Sequence, residues 1–85
     1  MNTLTSKGEP PAPPYDIWEE RAKLLIQREM MEREISYKQL SQMLKELKID
    51  ESPAQINRKV TRKRFSAAFF VACMRAMGVE TIPLK

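Results

Sequence analysis

Basic side chains are concentrated in one part of the sequence. Residues 52–78 contain six basic residues and no acidic one: Arg58, Lys59, Arg62, Lys63, Arg64 and Arg75. Residues 1–51 contain eight basic and ten acidic residues, so the net charge of +4 arises after residue 51. A positive field confined to a short segment is typical of proteins that bind nucleic acids. It would also attract an acidic protein, and a charged surface that only maintains solubility is the third interpretation.

The middle of this segment predicts side chains that would read bases in double-stranded DNA. On a helical wheel, Gln55, Arg58 and Arg62 lie opposite the apolar residues Ile56 and Val60. In the major groove, glutamine pairs with adenine and arginine pairs with guanine. The complete predicted DNA-binding set consists of Ser36, Tyr37, Lys38, Gln55, Asn57, Arg58, Lys59, Arg62, Lys63 and Arg64.

Several members of this set are predicted to contact phosphates rather than bases. These are the three lysines and Arg64. Tyr37 and Lys38 fall in the first turn of a predicted helix that Ser36 would cap, and the amides at a helix N-terminus can hold a phosphate. The simpler interpretation is that Ser36 is only a cap and that Tyr37 is half-buried packing.

Catalytic or metal chemistry is not expected. Cys73, the one cysteine, lies between Phe70 and Met74 on an apolar stripe, and the chain has no histidine. A cysteine nucleophile needs a base, and a zinc site needs several cysteine, histidine or carboxylate ligands. We therefore expect Cys73 to be a core residue, and we expect neither enzymatic activity nor a cofactor or metal.

The sequence also predicts a cytoplasmic protein without a membrane partner. No apolar run approaches the roughly 20 residues that a membrane-spanning helix needs. The N-terminus lacks the apolar segment of a signal peptide. A single cysteine cannot form an internal disulfide framework.

Four helices and no strand are predicted to position these side chains. The first is expected at about 16–33, the second at about 37–47 and the fourth at 67–77. The third begins after Ser52. The apolar stripes that would form the core are Trp18, Ala22, Leu25 and Ile26, then Leu40, Met43, Leu44 and Leu47, then Ile56 and Val60, and last Phe69, Phe70, Cys73, Met74 and Met77. The fold class is therefore predicted to be all-α.

Local signals predict where these helices begin and end. The second helix would begin at a capping box formed by Ser36 and Gln39. The third would begin at a second capping box, formed by Ser52 and Gln55. Proline is favoured at the first helical position, which Pro53 would occupy. A glycine after the last turn, Gly78, predicts the end of the fourth helix in a left-handed conformation.

The chain is predicted to contain one domain between two tails. Residues 1–14 hold four of the six prolines and read as a flexible or polyproline tail, in which the stretch 10–14 should not be helical. Residues 15–79 would form the domain, and residues 80–85 a C-terminal tail. A domain this small gains from a partner subunit. We expect a homodimer, formed either through Ile17 and Trp18 or through Val79, Ile82 and Leu84.

Short motifs along most of the chain resemble a small family of uncharacterised bacterial domains. The motifs are WEERAK at 18–23, ISYKQL at 35–40, INRKV at 56–60, FSAAF at 65–69 and MGV at 77–79. Those domains look like variants of the lambda-repressor-like helix-turn-helix class. The resemblance implies a four-helix domain of helix-turn-helix type. Members of that class usually join helices 2 and 3 by three or four residues, and residues 48–52 lengthen this joint here.

Together these observations favour sequence-specific binding of double-stranded DNA by a small transcriptional regulator. The third helix would enter the DNA, and a homodimer would bind two half-sites. The alternative is a protein-interaction adaptor or inhibitor that uses its basic face to bind an acidic protein. RNA binding is a third hypothesis, because its electrostatics are the same.

Overall fold

The computed structural model describes residues 13–84. This part of the chain forms four helices and no strand, as the sequence predicted: α1 at Pro13–Glu32, α2 at Tyr37–Glu46, α3 at Pro53–Thr61 and α4 at Ala67–Met77. Helix α4 packs against α1 and α2, and α3 packs against the same two helices. None of these helices is both long enough and apolar enough to cross a membrane.

Both predicted capping boxes are present. Ser36 Oγ accepts a hydrogen bond from the Gln39 amide at 3.1 Å, and Gln39 Oε1 accepts one from the Ser36 amide at 2.8 Å. Ser52 and Gln55 repeat the arrangement with the same two distances. Pro53 occupies the start of α3, where its missing N–H removes no helical hydrogen bond. The starts of α2 and α3 are therefore fixed by local sequence.

The start of α1 differs from the prediction. The helix begins at Pro13 and not near Asp16, so Pro13 and Pro14 are helical although they were assigned to the tail. The prediction that residues 10–14 cannot be helical was wrong for these two. Proline is tolerated in the first turn because the amides there have no intrahelical partner. The rest of the predicted tail, residues 1–12, lies outside the described residues.

All four helices end in the same hydrogen-bonded motif. An amide reaches back to the carbonyl five residues earlier: Ile35 to Met30, Ile49 to Leu44, Arg64 to Lys59 and Val79 to Met74. The residue before each donor has a positive φ: Glu34 at 55°, Lys48 at 66°, Lys63 at 58° and Gly78 at 81°. This is the Schellman motif, and the sequence predicted it only at Gly78. The other three positions carry a Cβ, and the left-handed conformation costs about 1 kcal/mol at each.

The core lies where the four helices meet. Its fully buried side chains are Ile26, Leu40, Leu44, Ile56, Val60 and Cys73. Most members of the predicted stripes are buried, including Leu25, Phe69, Met74 and Met77. Trp18 and Leu47 were wrongly placed in the core, since 56% of Trp18 and 38% of Leu47 are exposed. None of residues 14–24 is buried, so α1 contributes to the core only through its C-terminal half.

Candidate nucleic-acid interface

Helix α3 has one buried face and one exposed face. Ile56 and Val60 are fully buried and hold the helix on the domain. Arg58 lies on the opposite side and is exposed, and Arg62, which caps the C-terminal end of α3, is exposed too. The short helix is therefore anchored by two side chains and presents its cationic side to solvent, as predicted.

Three exposed arginines in and after α3 form what we call the arginine face: Arg58, Arg62 and Arg64. Of the five ion pairs within residues 13–84, none involves these three side chains. Their guanidinium groups also take part in no side-chain hydrogen bond in the described part of the chain. The arginine face can therefore bind an anion without first breaking an internal contact.

Lys59, a predicted phosphate contact, is turned toward the domain instead. Its Nζ forms an ion pair with Glu51, whose side chain is only 15% exposed, and it lies 4.9 Å from the centre of the Phe69 ring. The Ser41 hydroxyl donates a hydrogen bond to the Glu51 carbonyl. These contacts connect α2, the joint and α3 to α4. Lys59 therefore holds α3 in position, and its ammonium group is already neutralised by a carboxylate.

Lys63 is also paired, but its partner is more exposed: 42% of the Glu20 side chain is exposed, against 15% for Glu51. Its Nζ lies 3.3 Å from Glu20 Oε1, and Lys23 Nζ lies 3.3 Å from the other oxygen of the same carboxylate. Hydrogen bonds from Lys23, and then from Lys63, lower the pKa of Glu20 below its usual value. Because exposed ion pairs are weak, a phosphate can replace Glu20 as the partner of Lys63.

Gln55 serves as a cap in this structure. Its Oε1 accepts the Ser52 amide, which uses one of the two lone pairs of that oxygen. Paired recognition of adenine uses both the oxygen and the nitrogen of the amide, so adenine would share Oε1 with the capping box. The predicted contact Asn57 is exposed, and its backbone carbonyl accepts a hydrogen bond from the Thr61 hydroxyl at 2.8 Å.

The predicted DNA contacts at the start of α2 form no direct interaction with the arginine face in the described part of the chain. Ser36 acts as the helix cap, and Tyr37 is half buried against the core. Lys38 is exposed. Within the described range, no hydrogen bond or ion pair links these three residues to the arginine face. They are included in the candidate interface only because α2 packs against α3.

The acidic partners of the two lysines were missed from the sequence. Residues 52–78 contain no acidic side chain that could pair with the six cations locally. Glu20 and Glu51 lie outside that segment and reach it only through folding. Neither pairing has the spacing of three or four residues that marks an ion pair along one helix, so no local signal identifies them.

The single cysteine of the chain lies in the core. Cys73 is fully buried, as predicted, and burial, followed by the negative charge of Glu51, raises the pKa of its thiol to about 12. A thiol in this state is a poor nucleophile. Among the described residues, no group of three or more histidine, cysteine or acidic side chains is arranged to hold a metal ion.

Comparison with protein families gives one match. The model of a family described as a domain of unknown function, DUF6471, matches residues 18–82, which are 65 of the 85 residues. The matched range contains all the residues of α2, α3 and α4 and both partners of each lysine ion pair. No curated protein and no solved structure matches the chain.

Proposed function

We propose that this chain, which belongs to the DUF6471 family of domains of unknown function, binds double-stranded DNA through the arginine face. The observation that carries the proposal is that Arg58, Arg62 and Arg64 are exposed and have no acidic partner within residues 13–84. The lysines that flank them do have such partners. Arginine is the side chain best suited to this role, because its planar fork matches both phosphate and the edge of guanine.

Within this proposal, the side chains of the segment have different tasks. Arg58 and Arg62 read bases, since Arg58 in α3 and Arg62 at its C-cap lie four residues apart and are both exposed. Arg64 contacts a phosphate, and Lys63 gains one when it exchanges Glu20 for the DNA backbone. Lys59 stays with Glu51 and fixes the position of α3. Gln55 stays in its capping box, and base reading is left to the arginines.

The proposal treats α2 and α3 as a helix-turn-helix pair in which α3 enters the major groove. Support comes from the packing of α2 against α3 and from the anchoring of α3 by only two apolar side chains. The joint between them, residues 47–52, is longer than the usual turn of that class. The ion pair between Glu51 and Lys59 and the hydrogen bond from Ser41 stiffen it, so α3 has a defined orientation.

A selection of bound fragments from random duplex DNA tests the proposal most directly. We expect a preferred sequence to be enriched, and unrelated duplex DNA to compete poorly with it. The biological role that follows is a small transcriptional regulator.

The same cationic face could bind an acidic protein or RNA. The competition experiment therefore includes one competitor for each alternative. Polyglutamate represents an acidic protein surface, and an unrelated single-stranded RNA represents RNA. If polyglutamate displaces the bound duplex as effectively as DNA does, and no sequence is enriched, the adaptor hypothesis replaces DNA reading. If the RNA competes best, the nucleic acid is RNA.

A further inference from the structure

An apolar groove lies on a part of the surface that the arginine face does not use. We call it the Trp18 groove; it has a volume of about 440 Å³, and its apolar lining includes Tyr15, Trp18, Phe65, Phe70 and Leu84. Four of the six aromatic residues of the chain therefore lie around one groove. Trp18 is 56% exposed and Leu84 is 71% exposed. A cluster of large, exposed apolar side chains indicates a binding surface for a ligand or a partner.

The two sides of the groove are tied together by Arg21. Its Nη1 donates a hydrogen bond to the Leu84 carbonyl at 3.2 Å, and its guanidinium group lies 5.8 Å from the Trp18 ring centre. The sequence predicted dimer contacts either through Ile17 and Trp18 or through Val79, Ile82 and Leu84. The structure brings Trp18 and Leu84 to one surface, which is preformed by a contact between residues 63 positions apart.

The charges around the groove suit a second copy of the chain. Glu19 on one hand, and Arg21 and Lys63 on the other, line the same groove. A uniformly acidic or uniformly basic partner would meet a like charge at this rim. A second copy of the chain, related by a two-fold axis, presents the same mixed rim, so acidic groups of each copy can face basic groups of the other.

We propose that the Trp18 groove is the interface between two copies of this chain and that Trp18 is its main anchor. Tryptophan, tyrosine and arginine are the residues that most often dominate the centre of such interfaces. The proposal does not depend on DNA binding, because none of Arg58, Arg62 and Arg64 lines the groove and only Lys63 is shared with the DNA proposal. It does supply the second reading helix that a small DNA-binding domain needs for two half-sites.

The full chain contains one tryptophan, so fluorescence reports directly on the proposed anchor. We expect the Trp18 emission to shift to shorter wavelength as the protein is concentrated from nanomolar to high micromolar, without DNA. Sedimentation equilibrium should show a monomer–dimer equilibrium with the same midpoint. Coincidence of the two transitions would place Trp18 in the interface.

Variants distinguish dimerisation through the groove from non-specific hydrophobic association. Trp18→Ala should raise the dimer dissociation constant about thirtyfold or more, the effect expected for an interface anchor. Leu84→Ala should raise it by a smaller factor. Met31→Ala and Val71→Ala are matched controls, because both side chains are exposed and lie outside the groove. They should leave the constant within about twofold.

Two results would overturn the proposal. One is a monomer at every concentration with unchanged Trp18 emission. The other is a dimer that Met31→Ala or Val71→Ala weakens as much as Trp18→Ala does. Failure of the DNA proposal would be seen separately, as a protein that dimerises normally and enriches no DNA sequence. Circular dichroism of each variant confirms that the exposed substitutions leave the helices intact.

Discussion

The arginine face and the Trp18 groove are two exposed surfaces of one small domain, built by opposite means. The arginine face is charged and comes from residues 58–64, so its parts are neighbours in sequence. The groove is largely apolar and joins α1 to a C-terminal segment through the contact of Arg21 with Leu84. The first surface can therefore be recognised from sequence alone, and the second becomes visible only when the chain is folded.

The two surfaces also meet at one residue. Lys63 lines the groove and pairs with Glu20 of α1, yet it directly follows Arg62 at the end of α3. Its positive φ belongs to the hydrogen-bonded motif that ends α3. A change at Lys63 thus reaches both surfaces, whereas a change at Arg58 or Trp18 should reach only one. The predictions below use this difference.

The largest effect is expected from Val60→Asp, which should remove both surfaces at once. Val60 is fully buried, and an aspartate there would place an unpaired charge in the core. We expect loss of helical circular dichroism, of dimerisation and of DNA binding together. Val71→Asp is the matched control, because it makes the same substitution at an exposed position of α4 that lies outside both surfaces. A folded Val60→Asp protein would show that α3 is not anchored as described.

The next largest effect is a difference in stability between alanine variants of the two paired lysines, Lys59 and Lys63. Lys59→Ala leaves the largely buried Glu51 carboxylate without its partner, and we expect a loss of about 1–3 kcal/mol in the free energy of unfolding. Lys63→Ala breaks a more exposed pair and should change stability by less than about 0.5 kcal/mol. Urea denaturation measures both. Equal losses for the two variants would contradict the division between a positioning lysine and an exchangeable one.

For DNA binding, we expect the opposite order: the Lys63 variant should have the larger effect and the Lys59 variant the smaller one. Lys63→Ala should weaken binding to all sequences alike and lower the slope of log K against log salt by about one. Lys59→Ala should leave that slope unchanged, because its ammonium group is already paired with Glu51. Fluorescence anisotropy over a range of salt concentrations provides the measurement. A reduced slope for Lys59→Ala would mean that the Glu51 pair opens on DNA.

The arginine face should affect DNA recognition without affecting the groove. Arg58→Ala and Arg62→Ala are each expected to cost roughly 1–3 kcal/mol of binding free energy and to relax the preference at one base pair. The dimer constant and the unfolding free energy should stay the same, because both side chains are exposed and unpaired within the described chain.

Arg28→Ala is the matched control for these two variants, since it removes an exposed arginine from α1. Its effect on DNA affinity should be small by comparison. If both α3 variants keep the affinity and the sequence preference of the folded wild type, α3 is not the reading helix. The adaptor hypothesis would then lead.

These contrasts show how far the sequence could predict the structure. Ser36, Ser52 and Gly78 were placed correctly because caps depend on neighbours three or four positions away. The anchors Ile56 and Val60 followed from helical spacing. The placement of Trp18 in the core was wrong because a helical wheel gives the direction of a side chain but not whether another helix covers it. The Glu51–Lys59 pair was missed because it crosses the joint between α2 and α3, where no periodicity applies.

The smallest effect is expected where the two surfaces meet, at Glu20. Its folded pKa lies below the usual 4.5, because Lys23 and then Lys63 donate hydrogen bonds to the carboxylate. A group whose pKa is depressed by folding stabilises the protein above the unfolded pKa. That stabilisation is lost as the pH falls through the folded pKa. Glu20→Gln should therefore be slightly less stable than wild type at pH 7, and the difference should disappear well below pH 4.5.

Unfolding free energies measured by urea denaturation across this pH range check the prediction. Glu46→Gln is the matched control, because it removes one exposed carboxylate that forms no ion pair among residues 13–84. Glu20→Gln should also raise the affinity for DNA modestly, since it frees Lys63 for a phosphate and removes one negative charge. If the stability difference persists unchanged at low pH, it does not come from the Glu20 charge. The contact between α1 and the end of α3 would then depend on packing, and the two surfaces would not be coupled by an ion pair.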